Sequence, residues 1–284
     1  MKLSKIFALL LALCLISSAA CAATFTDAHG NVIELDDSLE AYAAVTLVGA
    51  DNAARQGETN LGDLWADALR WFAVSGEINA AFDEDDVKAG NDRIAVDADH
   101  VVALWNGGNL RADIAEGTFG AEALAEVLPF PNKVAVVYMT GAQLLETLEA
   151  ASQGLPYTAE TADACASLMQ VSGLTYTVDT AKAYDALEAY GDHWFTAGSV
   201  SRVRIEDVNG QPFDAEATYA VVTSNANFNG MDSSYVLKAA AEANEQSAVT
   251  TAVVRDVVFR FIAAELNHQV GEAYAAPQGR LTVL

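Results

Sequence analysis

The apolar residues of this chain change their spacing several times, and that limits the folds open to it. Leu61, Leu64, Trp65, Ala68, Leu69 and Phe72 recur at helical intervals, so the pattern predicts an amphipathic helix over Leu61–Val74, capped by Thr59 or Asn60 and ended at Gly76. Val101–Trp105 is apolar at every position and breaks into Asn106-Gly107-Gly108-Asn109, the pattern of a buried strand running into a loop. Val134–Met139 reads as a strand, and Thr140 is placed to cap a helix running to Ser152. Leu174–Val178, Val200–Ile205 and Thr218–Thr223 read as strands, Phe119–Val127 as a short helix and Arg280–Leu284 as a final strand. Ser247–Leu266 reads as one long amphipathic helix. Residues 153–170 and 180–199, rich in Ala, Asp and Gly, read as long connections. Strands and helices mix without strict βαβ alternation and without a run of hairpins. The expected fold class is therefore an α/β or α+β layered domain.

The N-terminal residues follow a different logic. Lys2 and Lys5 precede the apolar stretch Ile6–Ile16, and small residues follow, with Ala20-Cys21-Ala22 matching an A-x-A cleavage pattern. Residues 1–23 thus read as a secretory signal peptide, and the apolar stretch is too short to span a bilayer. Cleavage near Ala22 or Ala23 is expected. The alternative is a lipid anchor on Cys21, but Ser18 occupies the place where a large aliphatic residue precedes a lipidated cysteine. Either way the protein is expected to be exported: periplasmic, secreted or at the cell surface. Residues 24–43 form a short β segment in which Thr24–Thr26 and Val32–Leu35 flank a turn-rich stretch. Cys165 is the one cysteine well away from the leader, so no internal disulfide is expected, and it reads as a small buried hydrophobe.

With 39 acidic and 15 basic residues the formal charge is −24. Such a field repels nucleic acid and anionic membrane. Any anionic ligand must then be held by a few local donors. A strand ending in Asn-Gly-Gly lets backbone approach a ligand closely, because glycine has no Cβ. The forked donors of Arg111 suit an anionic or hydroxyl-rich group, or an ion pair with Asp113 or a neighbouring acid. Asn106 can serve either a ligand or the turn backbone. Phe130, between Pro129 and Pro131, has the core as its alternative place.

Four segments together resemble the C-terminal, substrate-binding domain of the 5'-nucleotidase family. They are Glu58-Thr59-Asn60-Leu61-Gly62-Asp63-Leu64 with Ala66-Asp67-Ala68; Asn106-Gly107-Gly108-Asn109-Leu110-Arg111-Ala112-Asp113-Ile114; Glu126-Val127-Leu128-Pro129-Phe130-Pro131-Asn132 followed by Thr140-Gly141-Ala142-Gln143-Leu144; and Gln170-Val171-Ser172-Gly173-Leu174 with Gly279-Arg280-Leu281. They occur in family order over residues 44–284. The resemblance implies a four-layer α/β/β/α domain that binds a nucleotide or nucleoside through Asn106, Gly107, Gly108 and Arg111. It also implies that Phe130 stacks on one face of the base. Tyr235, in Asn229-Gly230-Met231-Asp232-Ser233-Ser234-Tyr235, is the candidate for the other face, with Phe228 second; two glycines of the family's loop are replaced there.

The family's chemistry is carried by a separate domain with two divalent metals, held by Asp-x-His, Gly-Asp and Gly-Asn-His blocks. The four histidines here, His29, His100, His193 and His268, do not reproduce those blocks. Asp27-Ala28-His29-Gly30 imitates the first, and His29 reads as a turn residue. The expectations are therefore no catalytic residue, no metal ligand and no cofactor in this chain, and a role in nucleotide catabolism or salvage through binding. The alternatives are half of a split hydrolase working with a separately encoded metallophosphatase, and a non-binding structural surface protein.

Overall fold

Every residue from Val101 to Asn106 is buried, and the rest of the domain is layered around this strand. A computed structural model describes residues 23–26 and 32–35 as backbone, and 40–82, 94 and 96–284 in full. The signal peptide expected over residues 1–23 lies almost wholly outside the described residues, as do the Asp27–Asn31 turn and His29. In chain order the strands are β1 (Ala23–Thr26), β2 (Val32–Leu35), β3 (Glu40–Ala43), β4 (Val101–Asn106), β5 (Gly117–Gly120), β6 (Lys133–Thr140), β7 (Met169–Ser172), β8 (Leu174–Val178), β9 (Ala186–Tyr190), β10 (Trp194–Ala197), β11 (Val203–Val208), β12 (Gln211–Pro212), β13 (Thr218–Ser224), β14 (Ala248–Val253), β15 (Gln269–Val270) and β16 (Leu281–Val283). The α-helices are α1 (Ala53–Gln56), α2 (Asn60–Val74), α3 (Ala121–Val127), α4 (Gly141–Ala151), α5 (Asn225–Phe228), α6 (Tyr235–Ala243) and α7 (Val254–Glu265).

The central sheet has the order β14-β6-β13-β4-β7. Its β13–β4 pair is parallel and its other pairs are antiparallel. Alternation along these strands sends side chains into two cores. Val101, Ala103 and Trp105 of β4 join Val134, Val136 and Tyr138 of β6 under α2 and α7. Val102, Leu104, Val137 and Met139 face the other way, onto α4, α6 and a second sheet of order β12-β11-β8-β16. A small sheet, β15-β3-β5, closes one end. This is the mixed α/β architecture that the sequence predicts. β1 and β2 pair antiparallel from Thr26↔Val32 to Ala23↔Leu35, as the flanking runs suggest.

Local chemistry accounts for the helix starts. The Thr59 hydroxyl accepts from the Gly62 amide at 3.0 Å, and Thr140 forms a reciprocal capping box with Gln143. Leu61, Leu64, Trp65, Ala68, Leu69 and Phe72 are all fully buried, so the stripe read from the sequence is the packed face of α2.

Three expectations are corrected. Ser247–Leu266 is not one helix: Ala248–Val253 pairs with β6 and helix begins at Val254. The run Val249-Thr250-Thr251 is β-branched and fits a pleated edge better than a helix. Residues 180–199 are not a plain connection but hold the β9–β10 hairpin. Phe119 belongs to β5, with helix only from Ala121. Val45–Gly49 contributes a single bridge, Leu47 to Ile114.

Candidate functional site

A cavity of about 700 Å³ opens where the loop after β4 meets the loop before β6 and the loop around α5. Gly108, Asn109 and Arg111 form one wall, Phe130, Pro131 and Asn132 a second, and Asn225, Ala226 and Asn229–Asp232 a third; Ala166 closes the base. Each wall adjoins the end of a central-sheet strand, so a rigid framework presents three loops to one space.

Phe130 is 43% exposed. It is not a core residue, because Pro129 and Pro131 hold the chain away from the sheet and Leu128 fills the core beside it. The Arg111 guanidinium lies 5.7 Å from the Phe130 ring centroid, within cation–π range. Asp113 accepts instead from the amides of Gly49 and Ala50, both at 2.8 Å. Arg111 therefore does not pair with Asp113, and the acid that acts on it is Asp232. Burial, then the nearby Arg55, disfavour the charge on Arg111 while Asp232 favours it. A guanidinium nevertheless stays protonated at neutral pH.

Asn106 is only 2% exposed and stands behind the cavity wall. Its side-chain NH2 donates to Asp232 Oδ2 at 2.8 Å, and its carbonyl accepts from Asn109 at 2.8 Å. Both ends of the Asn106 carboxamide are thus bonded to protein side chains. The two glycines are also explained by packing. A Cβ on Gly107 would run into the carbonyl oxygen of Ala54, and one on Gly108 would come within 2.7 Å of Ala166. The close backbone approach that the Gly-Gly pair permits is made by the protein to itself. Gly108 reaches the cavity; Gly107 does not.

Tyr235 is the residue the structure places elsewhere. It starts α6, donates to Glu146 Oε1 at 2.9 Å, accepts from the Ala197 amide at 2.9 Å and packs against Tyr190. These partners hold the ring behind the Asn229–Asp232 loop. Phe228 packs against the core on the α4 side. On the α5 side the cavity is lined by Ala226 and Met231, the latter 61% exposed, rather than by Tyr235 or Phe228. Gly108, Arg111 and Phe130 are therefore brought together; Asn106 and Gly107 support them; Tyr235 is apart.

Three residues join the site that sequence reasoning passed over. Asp232 is half-buried at φ 55°, and burial raises its pKa while Arg55, Arg111 and Asn106 pull it down. Asn132 is buried on the cavity wall. Arg55, on α1, has a side chain only 11% exposed and reaches Ala162 O at 2.9 Å. Arg55 lies just before the Glu58-Thr59-Asn60 block, and a lone arginine there in so acidic a chain is the signal that could have found it.

The first and fourth motif segments build something different. The Glu58 carboxylate accepts from the amides of Arg280 and Leu281, each at 3.0 Å. Asp63 accepts from Gln278 N, and Asp67 binds Arg280, Tyr274 and Ser172. Gln170 bridges Thr59, Ala54 and Gly57. These residues pin the β16 segment onto α2. Among the described residues no group of three or more His, Cys, Asp or Glu side chains is placed to hold a metal ion. His100 packs against Tyr219 with its ring tilted, His193 faces Asp163 and Trp194, and His268 bonds the Glu40 carbonyl. The described residues do not fit a two-metal centre.

The chain is 29% identical over 188 residues to the trifunctional nucleotide phosphoesterase protein YfkN of Bacillus subtilis (strain 168), a match spanning 65% of this chain and 10% of that protein. Its fold superposes on the 5'-nucleotidase precursor of Thermus thermophilus with a TM-score of 0.61 and 28% identity, covering 86% of this chain and 39% of that one. The NAD nucleotidase NadN of Haemophilus influenzae shares the fold, with a TM-score of 0.56 at 16% identity over 86% of this chain and 38% of that one. The chain thus spans a tenth of the curated relative and about two fifths of these structures. Residues 40–239 match the family model "5'-nucleotidase, C-terminal domain", and the chain belongs to the 5'-nucleotidase family through that domain.

Proposed function

We propose that the Arg111–Phe130–Asp232 cavity binds a nucleoside or nucleotide, and that the protein serves nucleotide catabolism or salvage outside the cytoplasm. The observation that carries this reading is the exposed Phe130 ring on a cavity wall with a guanidinium on one side and a half-buried carboxylate across from it. A flat heteroaromatic base stacks on such a ring for about 1–3 kcal/mol. Asp232 is suited to accept from sugar hydroxyls, and Arg111 to donate to a hydroxyl or phosphate oxygen. With a single aromatic wall, binding is expected to be weak once association costs are subtracted. Calorimetry of adenosine and AMP against wild type, Phe130→Ala and Arg111→Ala tests it. Phe130→Ala should weaken both ligands by roughly five- to a hundredfold, from the stacking range above. No heat with either ligand at millimolar concentration would sink the reading in favour of a non-binding surface protein.

A second reading is that this domain supplies the binding half of a hydrolase and a separately encoded metallophosphatase supplies the chemistry; its support is that among the described residues no group is placed to hold a metal ion. Binding itself is proposed to need no metal or other cofactor. Purified protein should then release no phosphate from AMP with Zn²⁺, Mn²⁺ or Co²⁺ added, and release should appear only with the partner. Metal-dependent release that survives repurification and is lost on Arg111→Ala would overturn both readings of this chain as inactive alone.

A further inference from the structure

The β9–β10 hairpin belongs to neither large sheet. Ala186–Ala189 along β9 are all exposed, and two strands alone are marginal in water. The Phe195 amide donates to Gln153 Oε1 at 2.8 Å, and two further side-chain bonds run from the hairpin toward the cavity walls. Tyr190 donates from its hydroxyl to Gly230 O at 2.7 Å. Trp194 Nε1 donates to Ala164 O at 3.2 Å, two residues from the cavity base at Ala166. The Tyr190 ring packs 5.6 Å from that of Tyr235, which is itself fixed between Glu146 and the hairpin's Ala197 amide. Gly230 sits at φ 85°, and a Cβ there would meet the Tyr190 hydroxyl. The two residues are thus fitted to each other, and Gly230 is two positions from Asp232.

Resting on the nucleoside-binding reading, we propose that Tyr190 is a positioning residue: its hydrogen bond to Gly230 holds the Asn229–Asp232 loop where the Asp232 carboxylate faces the ligand space. The loop's own backbone bonds are local, the Gly230 amide donating to Asn227 O at 3.0 Å and the Ser234 amide to Met231 O at 3.1 Å, whereas the Tyr190 hydroxyl ties Gly230 to the hairpin. Asn229 and Met231 are exposed, and the Met231 amide reaches back to Ala226 O. Asn106 fixes the carboxylate from the β4 side; Tyr190 fixes the backbone from the opposite side. Without the Tyr190 hydroxyl the loop keeps its local backbone bonds but loses its tie to the hairpin, and Asp232 becomes better hydrated.

The experiment compares wild type, Tyr190→Phe and Tyr184→Phe in the full chain. Tyr184 also donates to the hairpin, at Phe195 O, but not to the loop. Tyr190→Phe should weaken adenosine roughly two- to tenfold, the range for one neutral hydrogen bond. It should speed hydrogen exchange at Gly230–Asp232 while leaving β13 protection unchanged. It should also lower the pH at which adenosine affinity is lost as Asp232 protonates. Arg55, Arg111 and Asn106 are the charged and polar groups that face that carboxylate, and none of them is altered. Tyr184→Phe should change none of the three. Unchanged exchange and an unchanged pH midpoint in Tyr190→Phe overturn the proposal, as does an equal loss in Tyr184→Phe. If exchange at the loop rises but neither wild type nor variant binds adenosine, the positioning of the loop stands and the binding function fails.

Discussion

Asn106 and Asp232 lie 126 positions apart in sequence and are joined by one hydrogen bond of 2.8 Å, from a buried carboxamide to a half-buried carboxylate. Asn106 ends a strand buried along its whole length, whereas Asp232 sits in a partly exposed loop, so the bond ties the loop to the sheet.

Because the bond works through Asp232, Asn106→Ala and Asp232→Ala should not be additive. Each single change is expected to weaken adenosine, and the double variant should bind no worse than Asp232→Ala. The coupling should be about 0.5–3 kcal/mol, the range for residues in direct contact. A double-mutant cycle by calorimetry measures it, and additive losses would mean that Asn106 touches the ligand itself.

Stability should fall as pH rises from about 4 to 8. Burial, and then the neighbouring Glu58, push the Asp63 pKa from 3.8 up to about 8, with Arg280 opposing. Between those values the folded chain holds a proton that the unfolded chain has given up. The contribution is therefore fully present below the unfolded value and lost as pH climbs to the folded one. Asp63→Asn is neutral throughout and should flatten the slope. Denaturant melts at pH 5 and pH 8 check it, and an unchanged slope in the variant would remove Asp63 as the cause.

Gly107→Ala should destabilise the domain by about 1–3 kcal/mol, the usual cost of forcing extra atoms into a packed interior. The obstacle is the Ala54 carbonyl oxygen, which belongs to the backbone and has no alternative rotamer. Ala54→Gly should therefore give no rescue. Thermal melts of both variants decide it, and full rescue would place the strain on the Ala54 methyl instead.

Export should proceed with cleavage near Ala22 or Ala23, given the A-x-A match at Ala20–Ala22 and Ser18 in place of a large aliphatic residue. Mass spectrometry of the exported protein should find a free N-terminus there. A diacylglyceryl Cys21 as the first residue would establish the lipid anchor in its place. Among the described residues no helix is long and apolar enough to cross a membrane.

The parts of the fold visible in the sequence are those where one physical requirement acts alone. β4 is apolar through Trp105 because both its faces are buried, and α2 shows a clean stripe because one side faces the core. Ala248–Val253 is obscured by the helical run after it, since a short apolar segment satisfies either period. The β9–β10 hairpin carries no apolar alternation because its side chains largely face water; long-range hydrogen bonds place it, and these leave no local pattern. At the site, Gly108, Arg111 and Phe130 are legible from their motifs. Tyr235 is misplaced in the sequence reading because its position depends on Glu146 and Ala197, and Asp232 is missed because its partner Asn106 is distant in sequence.

The Glu58 carboxylate that grips the amides of Arg280 and Leu281 bridges more than 220 positions. A contact of that span cannot form until nearly the whole domain has emerged from the ribosome. Its carboxylate, and the half-finished edge of the second sheet where β16 docks beside β8, stay uncovered in the meantime. Closing so long a loop is entropically late and slow. The same interlock that fixes the finished domain thus forms only once residues 280 and 281 are free to reach Glu58.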